Sequence, residues 1–534
     1  MRFHHPFTLL FAATALAACD TVAQRNPIPT SQDRPLRATA LFEDLSALAR
    51  DLASVESAPP QGNVPAALTA LSYDEYRAIR FRPDAAVWAG DARFEVQLFH
   101  PGSLYSEPVQ IHLIEGDRIR PLLFDDAYFQ YGENARNAMG PAERLARSSE
   151  AARGYAGFRI HYPLNREASK DEVAVFLGAS YFRLLGPGHA HGLSSRGLAV
   201  DVAEESGEEF PAFRAFWLRK PGANDRSLIF FGLLEGPSVV GAYQFELDLS
   251  DSTVLTVDAR LFARKDIKKL GVAPLTSMYL YGPNDAARFD DYRPQVHDSD
   301  GLLMRTSQNE WIWRPLSNRR GVHVTSLRDS DPLGFGLVQR DRDFESYLDL
   351  EAQYHRRPSE WVEMGEGDWG SGGVELVELP TPSEYNDNIV AYWLPDEPFR
   401  AGDERAYQYR LSTFDGRLEE QALAQVVRTR VGSVLLPGET ARVSAGPRRF
   451  IVDFRDDGAI DQASPTLPTA VLSTTSGDVS QPIVQRLPEE RGYRASFTIE
   501  QVDERPPDLR LYLEIEGQAV SETWSYLWVP ELGR

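Results

Sequence analysis

Cysteine is nearly absent. The single residue, Cys19, excludes an internal disulfide, a Zn–Cys cluster and a Cys-ligated iron–sulfur centre. Long apolar runs are also missing. Beyond the N-terminus nothing approaches the roughly 20 residues that cross a bilayer, so the pattern is not that of a polytopic membrane protein. Positive charge is scarce: 56 Lys and Arg face 78 Asp and Glu, a formal net charge of −22. So acidic a surface repels phosphates, and no nucleic-acid partner is expected. Several signatures are missing as well: no P-loop, no His-Glu-x-x-His and no dinucleotide glycine fingerprint. Gly192-Leu-Ser-Ser-Arg-Gly197 is not a nucleophile elbow, because its second glycine comes one residue late. His189-Ala-His191 would place two ligands on one face of a strand. No third ligand is recognisable and Pro187-Gly188 marks a loop, so neither a metal nor another cofactor is expected.

What is present is a globular chain. Its 42% hydrophobic and 25% charged residues exclude wholesale disorder, and 534 residues leave room for two large β domains. Residues 1–18 read as an export signal: Arg2 supplies the charge, and Phe7–Ala18 is an apolar run too short to span a membrane. Leu16-Ala17-Ala18-Cys19 matches a bacterial lipobox, in which Cys19 carries the lipid. The alternative is ordinary cleavage with Cys19 incidental. The expected location is periplasmic and lipid-anchored, with membrane contact only through Cys19. Residues 19–38 are a tether.

Leu41, Leu45, Leu48 and Leu52 are spaced as on a helix over 41–53. Ser72 with Glu75 three residues on predicts a capped second helix. After residue 90 the period changes to two. Short alternating strands are predicted over 94–99, 109–114, 157–162, 172–177, 198–202, 212–218, 227–234, 239–247 and 252–262, separated by Gly, Pro, Asp and Ser. This is the pattern of an all-β protein. A first domain is expected over 39–397, a charged linker over 398–405, and a small immunoglobulin-like sandwich over 406–534, where seven short strands follow in roughly 125 residues.

Residues 279–393 differ from the rest. Trp311, Trp313, Trp361, Trp369 and Trp393 stand among many Asp, Glu and Arg, with Arg314 and Arg356 beside them. Aromatic faces stack on the CH side of pyranose rings while charged groups hydrogen-bond hydroxyls, so this composition suits a sugar chain. Glycoside cleavage further needs one protonated and one ionised carboxyl. The plainer alternative is that the Trp are core, the Asp-Asn runs are turns and Arg340-Asp-Arg-Asp343 is a solvated ion-pair face.

Ordered strings then add a resemblance. Leu71-Ser-Tyr-Asp-Glu-Tyr-Arg-Ala-Ile-Arg-Phe81, Phe99-His-Pro-Gly102, Gly178-Ala-Ser-Tyr-Phe-Arg183 and Ser194-Ser-Arg-Gly-Leu-Ala199 come first. Gly207-Glu-Glu-Phe-Pro211, Gly271-Val-Ala-Pro-Leu-Thr-Ser-Met278, Arg293-Pro-Gln-Val-His-Asp-Ser-Asp-Gly301 and Asn386-Asp-Asn388 follow. The chain resembles, from about residue 40 to 530, the periplasmic glucan biosynthesis protein G/D family, which serves osmoregulated periplasmic glucans. The resemblance implies a large N-terminal β-sandwich similar to galactose mutarotase and a small immunoglobulin-like C-terminal domain. It implies β-1,2-glucan as the partner and an inverting endo-β-1,2-glucanase as the activity. The alternatives are a transglycosylase on the same glucan, or a non-catalytic scaffold that binds the glucan and an inner-membrane glucan synthase. By resemblance Asp387 is the general acid and Asp300, preferred over Asp298, the base. Glu384 and Tyr354 are supports. Trp311, Trp313, Trp361, Trp369, Arg314 and Arg356 are the expected substrate contacts. The family commonly has Tyr-Gly where this chain has His191-Gly192, a departure near the expected substrate contacts.

Overall fold

A computed structural model describes residues 36–57, 64–139, 154–285, 289–434, 446–460, 466–488, 492–500 and 505–529. The signal segment and Cys19 lie outside the described residues. Among the described residues no helix is long and apolar enough to cross a membrane.

The protein is all-β, and its two large sheets, of ten and fifteen strands, form a sandwich. Phenylalanines dominate the contact between them. Phe158 and Phe176 come from the ten-stranded sheet, and Phe216, Phe230 and Phe245 from the other; all are buried. Phe158 meets Phe216 edge-on at 4.9 Å, and Phe176 meets Phe230 edge-on at 5.2 Å. The period-two pattern produces this directly, since alternate side chains of each strand face the opposite sheet. Several predicted strands match closely: Gly157–Tyr162, Ala212–Arg219, Ser227–Glu235 and Val239–Asp248.

Helix Leu41–Ala53 lies on the outer face of the fifteen-stranded sheet. Its buried Leu41, Leu45 and Leu48 pack with Trp217, Phe231, Val240 and Phe262. Glu43 in its first turn pairs with Arg260 (2.7 Å), and Arg50 in its last with Glu404. Both placements suit the helix dipole. Ser72 and Glu75 form the expected reciprocal cap of helix Tyr73–Arg77.

Strand Glu404–Phe414 runs through the middle of the fifteen-stranded sheet, between Val254–Ala263 and Ser359–Gly367. Its Tyr407, Tyr409 and Leu411 belong to the main core. A separate core begins beyond it. Phe450, Phe497, Leu511 and Trp524 close a second, smaller sandwich that leans on Trp311, Trp313 and Trp361. Strand Thr523–Leu527 pairs in parallel with Trp311–Pro315, so the two cores share hydrogen bonds. The junction also buries an ion pair. Arg340 bonds both carboxylate oxygens of Glu522 and, at 2.6 Å, the Val426 carbonyl, with its guanidinium 3.6 Å from the Trp313 ring centre.

Candidate functional site

One short segment, Ser277-Met278-Tyr279, ties down the chain at Asp298 and at Asn388, the residue after Asp387. Asp298 donates its N–H to the Met278 carbonyl at 2.8 Å. Asn388, buried, grips the same segment from the other side. Its N–H donates to Ser277 O at 3.1 Å, and its Oδ1 accepts from Tyr279 N at 2.8 Å. Its Nδ2 donates to Tyr279 O and Leu379 O, each at 3.0 Å. An Asn at this position therefore fixes the chain twice and leaves the preceding Asp387 exposed beside Asp298. Ser277 Oγ adds a bond to Ser299 Oγ at 2.8 Å.

Asp298 is buried. Burial pushes its carboxyl up to about 6; the nearby Asp387 carboxylate adds to this and the Arg357 guanidinium opposes it. Arg357 bonds Asp298, stacks on the Tyr354 ring at 4.3 Å and donates to Ala352 O at 3.1 Å. Gly192 is required beside it: an added Cβ would come within 2.9 Å of the Arg357 Cβ. Gln353, with φ 50°, turns the chain so that Tyr354 enters the site. The Tyr354 hydroxyl donates to Glu384 Oε2 at 2.5 Å. Arg293 reaches that same oxygen and Asp349 Oδ2, each at 2.8 Å. A fixed row therefore runs Asp298, Arg357, Tyr354, Glu384, Arg293, and the exposed Asp387 acts electrostatically on its Asp298 end. At its other end lies a cavity of about 380 Å³ lined by Tyr292, Arg293, Leu348, Asp349, Leu350, Glu351 and Glu384. Tyr292 (75% exposed) and Tyr385 (89%) present their rings to solvent around Arg293 and Glu384.

The expected site residues divide sharply. Asp387, Asp298, Glu384 and Tyr354 are brought together. Asp300 is held by backbone: its Oδ2 accepts from the Arg340 and Asp341 N–H groups at 3.1 and 3.4 Å. Its Oδ1 is enclosed without a partner although the residue as a whole is only half-buried. Burial raises its carboxyl to about 7. Asp298 is the carboxyl that the nearby Asp387 charge raises.

The tryptophans require a correction. Trp311, Trp313, Trp361 and Trp369 are all buried in the cores and offer no platform to a sugar. Trp311 and Trp313 share one strand face, and that face points inward. Arg314 is likewise buried, bonded to Ser525 and Thr325. Arg356 is exposed but holds the Gly188 carbonyl at 2.7 Å. The exposed rings near Arg293 and Glu384 are tyrosines in loops, Tyr292 beside Asp291 and Tyr385 beside Asn386. Aromatic residues next to turn formers were the available signal.

His297 is buried under Tyr279, ring centres 5.3 Å apart, with Nδ1 2.8 Å from Gln339 Oε1; burial lowers it to about 4. His189 and His191 go to different carboxylates, Asp415 and Glu172. Among the described residues no group of three or more His, Cys, Asp or Glu is arranged to hold a metal.

Comparison with known proteins places the chain. Residues 41–528 match the family described as "Periplasmic glucan biosynthesis protein, MdoG". "Glucans biosynthesis protein G" of Shewanella baltica (strain OS155) is 42% identical over 482 residues, 90% of this chain and 86% of that protein. The protein of the same name from Vibrio cholerae (strain O395) is 39% identical over 543 residues, 98% and 96% of the two chains. These names correct the expectation of a glycoside hydrolase or related transglycosylase, because both relatives are named for making glucan and neither for cleaving it. Extent and identity together assign the chain to the periplasmic glucan biosynthesis family.

Proposed function

We propose that the protein binds the β-1,2-linked backbone of a periplasmic glucan and holds the chain during its biosynthesis. The observation that carries this reading is the fixed row from Asp298 to Arg293, with the open rings of Tyr292 and Tyr385 at its end. A glucose ring is amphipathic. Its hydroxyls suit ionised, pre-positioned carboxylates and guanidinium groups, and its CH face suits an exposed tyrosine. The row is pre-organised by bonds within the protein, so little ordering is needed on binding. Asp298, Asp387 and Glu384 supply acceptors for hydroxyl protons, and Arg357 and Arg293 supply donors to hydroxyl oxygens.

A lipid at Cys19 and docking to an inner-membrane synthase belong to the same proposal, because a tethered protein would meet the glucan where it emerges. The site is tested by isothermal titration of the mature protein with linear β-1,2-, β-1,3- and β-1,4-glucans. Binding of the β-1,2 chain alone, with its length unchanged after incubation, is the expected result. Equal binding of all three, or of none, would contradict the assignment. For the anchor, fatty-acid labelling is expected in the wild type and lost in Cys19→Ala; equal labelling of both would contradict it.

A further inference from the structure

Two strings that carry the family resemblance, Leu71–Phe81 and Phe99–Gly102, lie outside the row described above, and they meet each other. The Tyr76 hydroxyl donates to the His100 carbonyl at 2.6 Å, and Ser103 N donates to Leu68 O at 2.8 Å. Gly102 and Tyr105 close a tight turn by exchanging backbone bonds at 2.9 and 2.8 Å. The Tyr105 ring packs 5.7 Å from that of Tyr76. This well-tied junction displays apolar surface: Leu104 at the turn's tip is 90% exposed, and Tyr73 at the helix start is 72% exposed. Surface rings and a leucine on an otherwise rigid turn gain nothing for folding by being there, and clustered exposed apolar groups mark contact sites.

The junction is continuous with the cleft. The Tyr105 ring covers Gly178, whose Cβ, if present, would lie 3.5 Å from it. Gly178 leads in three residues to strand Tyr181–Leu184, where Tyr181 and Arg183 share one face. Tyr181 lies within electrostatic reach of Asp387, and Arg183 within reach of both Asp298 and Tyr105. Tyr73 lies three residues before Tyr76 on helix Tyr73–Arg77, and the Tyr76 ring packs on Tyr105.

We infer that Tyr73, Leu104 and Tyr105 form a second platform for the same glucan chain, on which glucose rings beyond the Asp298–Arg293 row stack their apolar faces. The inference rests on the reading of that row as a glucan site and extends it across strand Tyr181–Leu184. Flat apolar contact of this kind recognises a sugar's CH face rather than a particular hydroxyl, so it adds affinity for long chains and not for short ones.

The test uses the mature full-length protein, wild type and Tyr73→Ala/Leu104→Ala, titrated with polymeric linear β-1,2-glucan and with a β-1,2-linked trisaccharide. Both side chains are exposed, and an unchanged melting temperature checks that the variant folds. Affinity for the polymer is expected to fall about 5- to 20-fold, with the trisaccharide unaffected. An unchanged polymer affinity would overturn the platform and leave the cleft reading standing. Equal losses for both ligands would overturn it too, because the patch would then not be a remote contact. A wild type that binds neither ligand would overturn the cleft reading and the platform with it.

Discussion

Asp298 and Asp300 are two residues apart and meet different surroundings. Between them the chain passes from the small two-stranded sheet, where Val296–His297 pairs with Tyr279–Tyr281, into the large sheet, where Gly301 faces Val338. The first carboxyl is buried and bonded by Arg357, and the second is half-buried and held by the Arg340 and Asp341 N–H groups. Sequence spacing puts both on one face of an uninterrupted strand, and the strand is interrupted. The four tryptophans misled for a related reason: composition counts aromatic rings without saying which face of a strand is filled. Asp387, Glu384 and Tyr354 were expected only through the family resemblance of their strings, whereas Arg293, Arg357 and Tyr292 emerge only when distant loops converge. For Asp300, the carboxyl raised to about 7 fixes the sign of a pH effect. Between about pH 4 and 7 the unfolded chain loses this proton while the folded protein keeps it, so the residue's contribution to stability falls as pH rises. Relative to Asp300→Asn, the wild type should lose ~2–4 kcal/mol of unfolding free energy over that range, measured by urea titration at several pH values. A constant difference would show that the carboxyl is not held protonated. Tyr354→Phe removes the hydroxyl bond to Glu384, which Arg293 continues to hold. Glucan affinity should drop about 5- to 10-fold with stability changed by about 1 kcal/mol or less.

At the scale of elements, the carriers of the site are a loop staple and a strand start. Asn388 makes five hydrogen bonds to the segments around it. Asn388→Ala should free Asp387, speed amide exchange over 386–388 and weaken glucan binding, while the strands that flank it keep their protection. Unchanged exchange there would remove Asn388 from the positioning role. Gly301 opens the strand Gly301–Arg305 directly against Trp313, and an added Cβ would lie 2.2 Å from that ring. Gly301→Ala should cost about 2–3 kcal/mol in chemical unfolding, as overpacking does. The Asp300-Gly301 pair reads in sequence as a turn, and it is instead the point where the chain enters a core strand. Period-two strands were the most legible elements, because one face of each is buried against the opposite sheet. Thr469–Thr474 was missed: it is an edge strand of mostly half-exposed residues and carries only a weak alternating signal.

The whole molecule couples its two cores close to the site. The backbone N–H of Arg340 holds Asp300, and its side chain is buried against Glu522 and Trp313. Removing one partner of such a pair leaves a buried charge without compensation. Glu522→Ala should therefore destabilise by about 3–5 kcal/mol and split one thermal transition into two. A single unshifted transition would contradict the coupling. The all-β class and the two-sandwich division were legible from the strand pattern, but the place of strand Glu404–Phe414 was not. Its charged approach resembles a linker, while its Tyr407, Tyr409 and Leu411 fill the first core, a contact between residues about 150 apart in sequence. The central claim is that a glucan chain rests along the row from Asp298 to Arg293. Hydrogen exchange of the full-length protein, with and without linear β-1,2-glucan, tests it most directly. Slower exchange is expected at Tyr354–Arg357 and over 384–388, with the buried strands of both cores unchanged. Exchange that does not change in those two segments at saturating glucan, or that slows only on the C-terminal sandwich, would contradict the account.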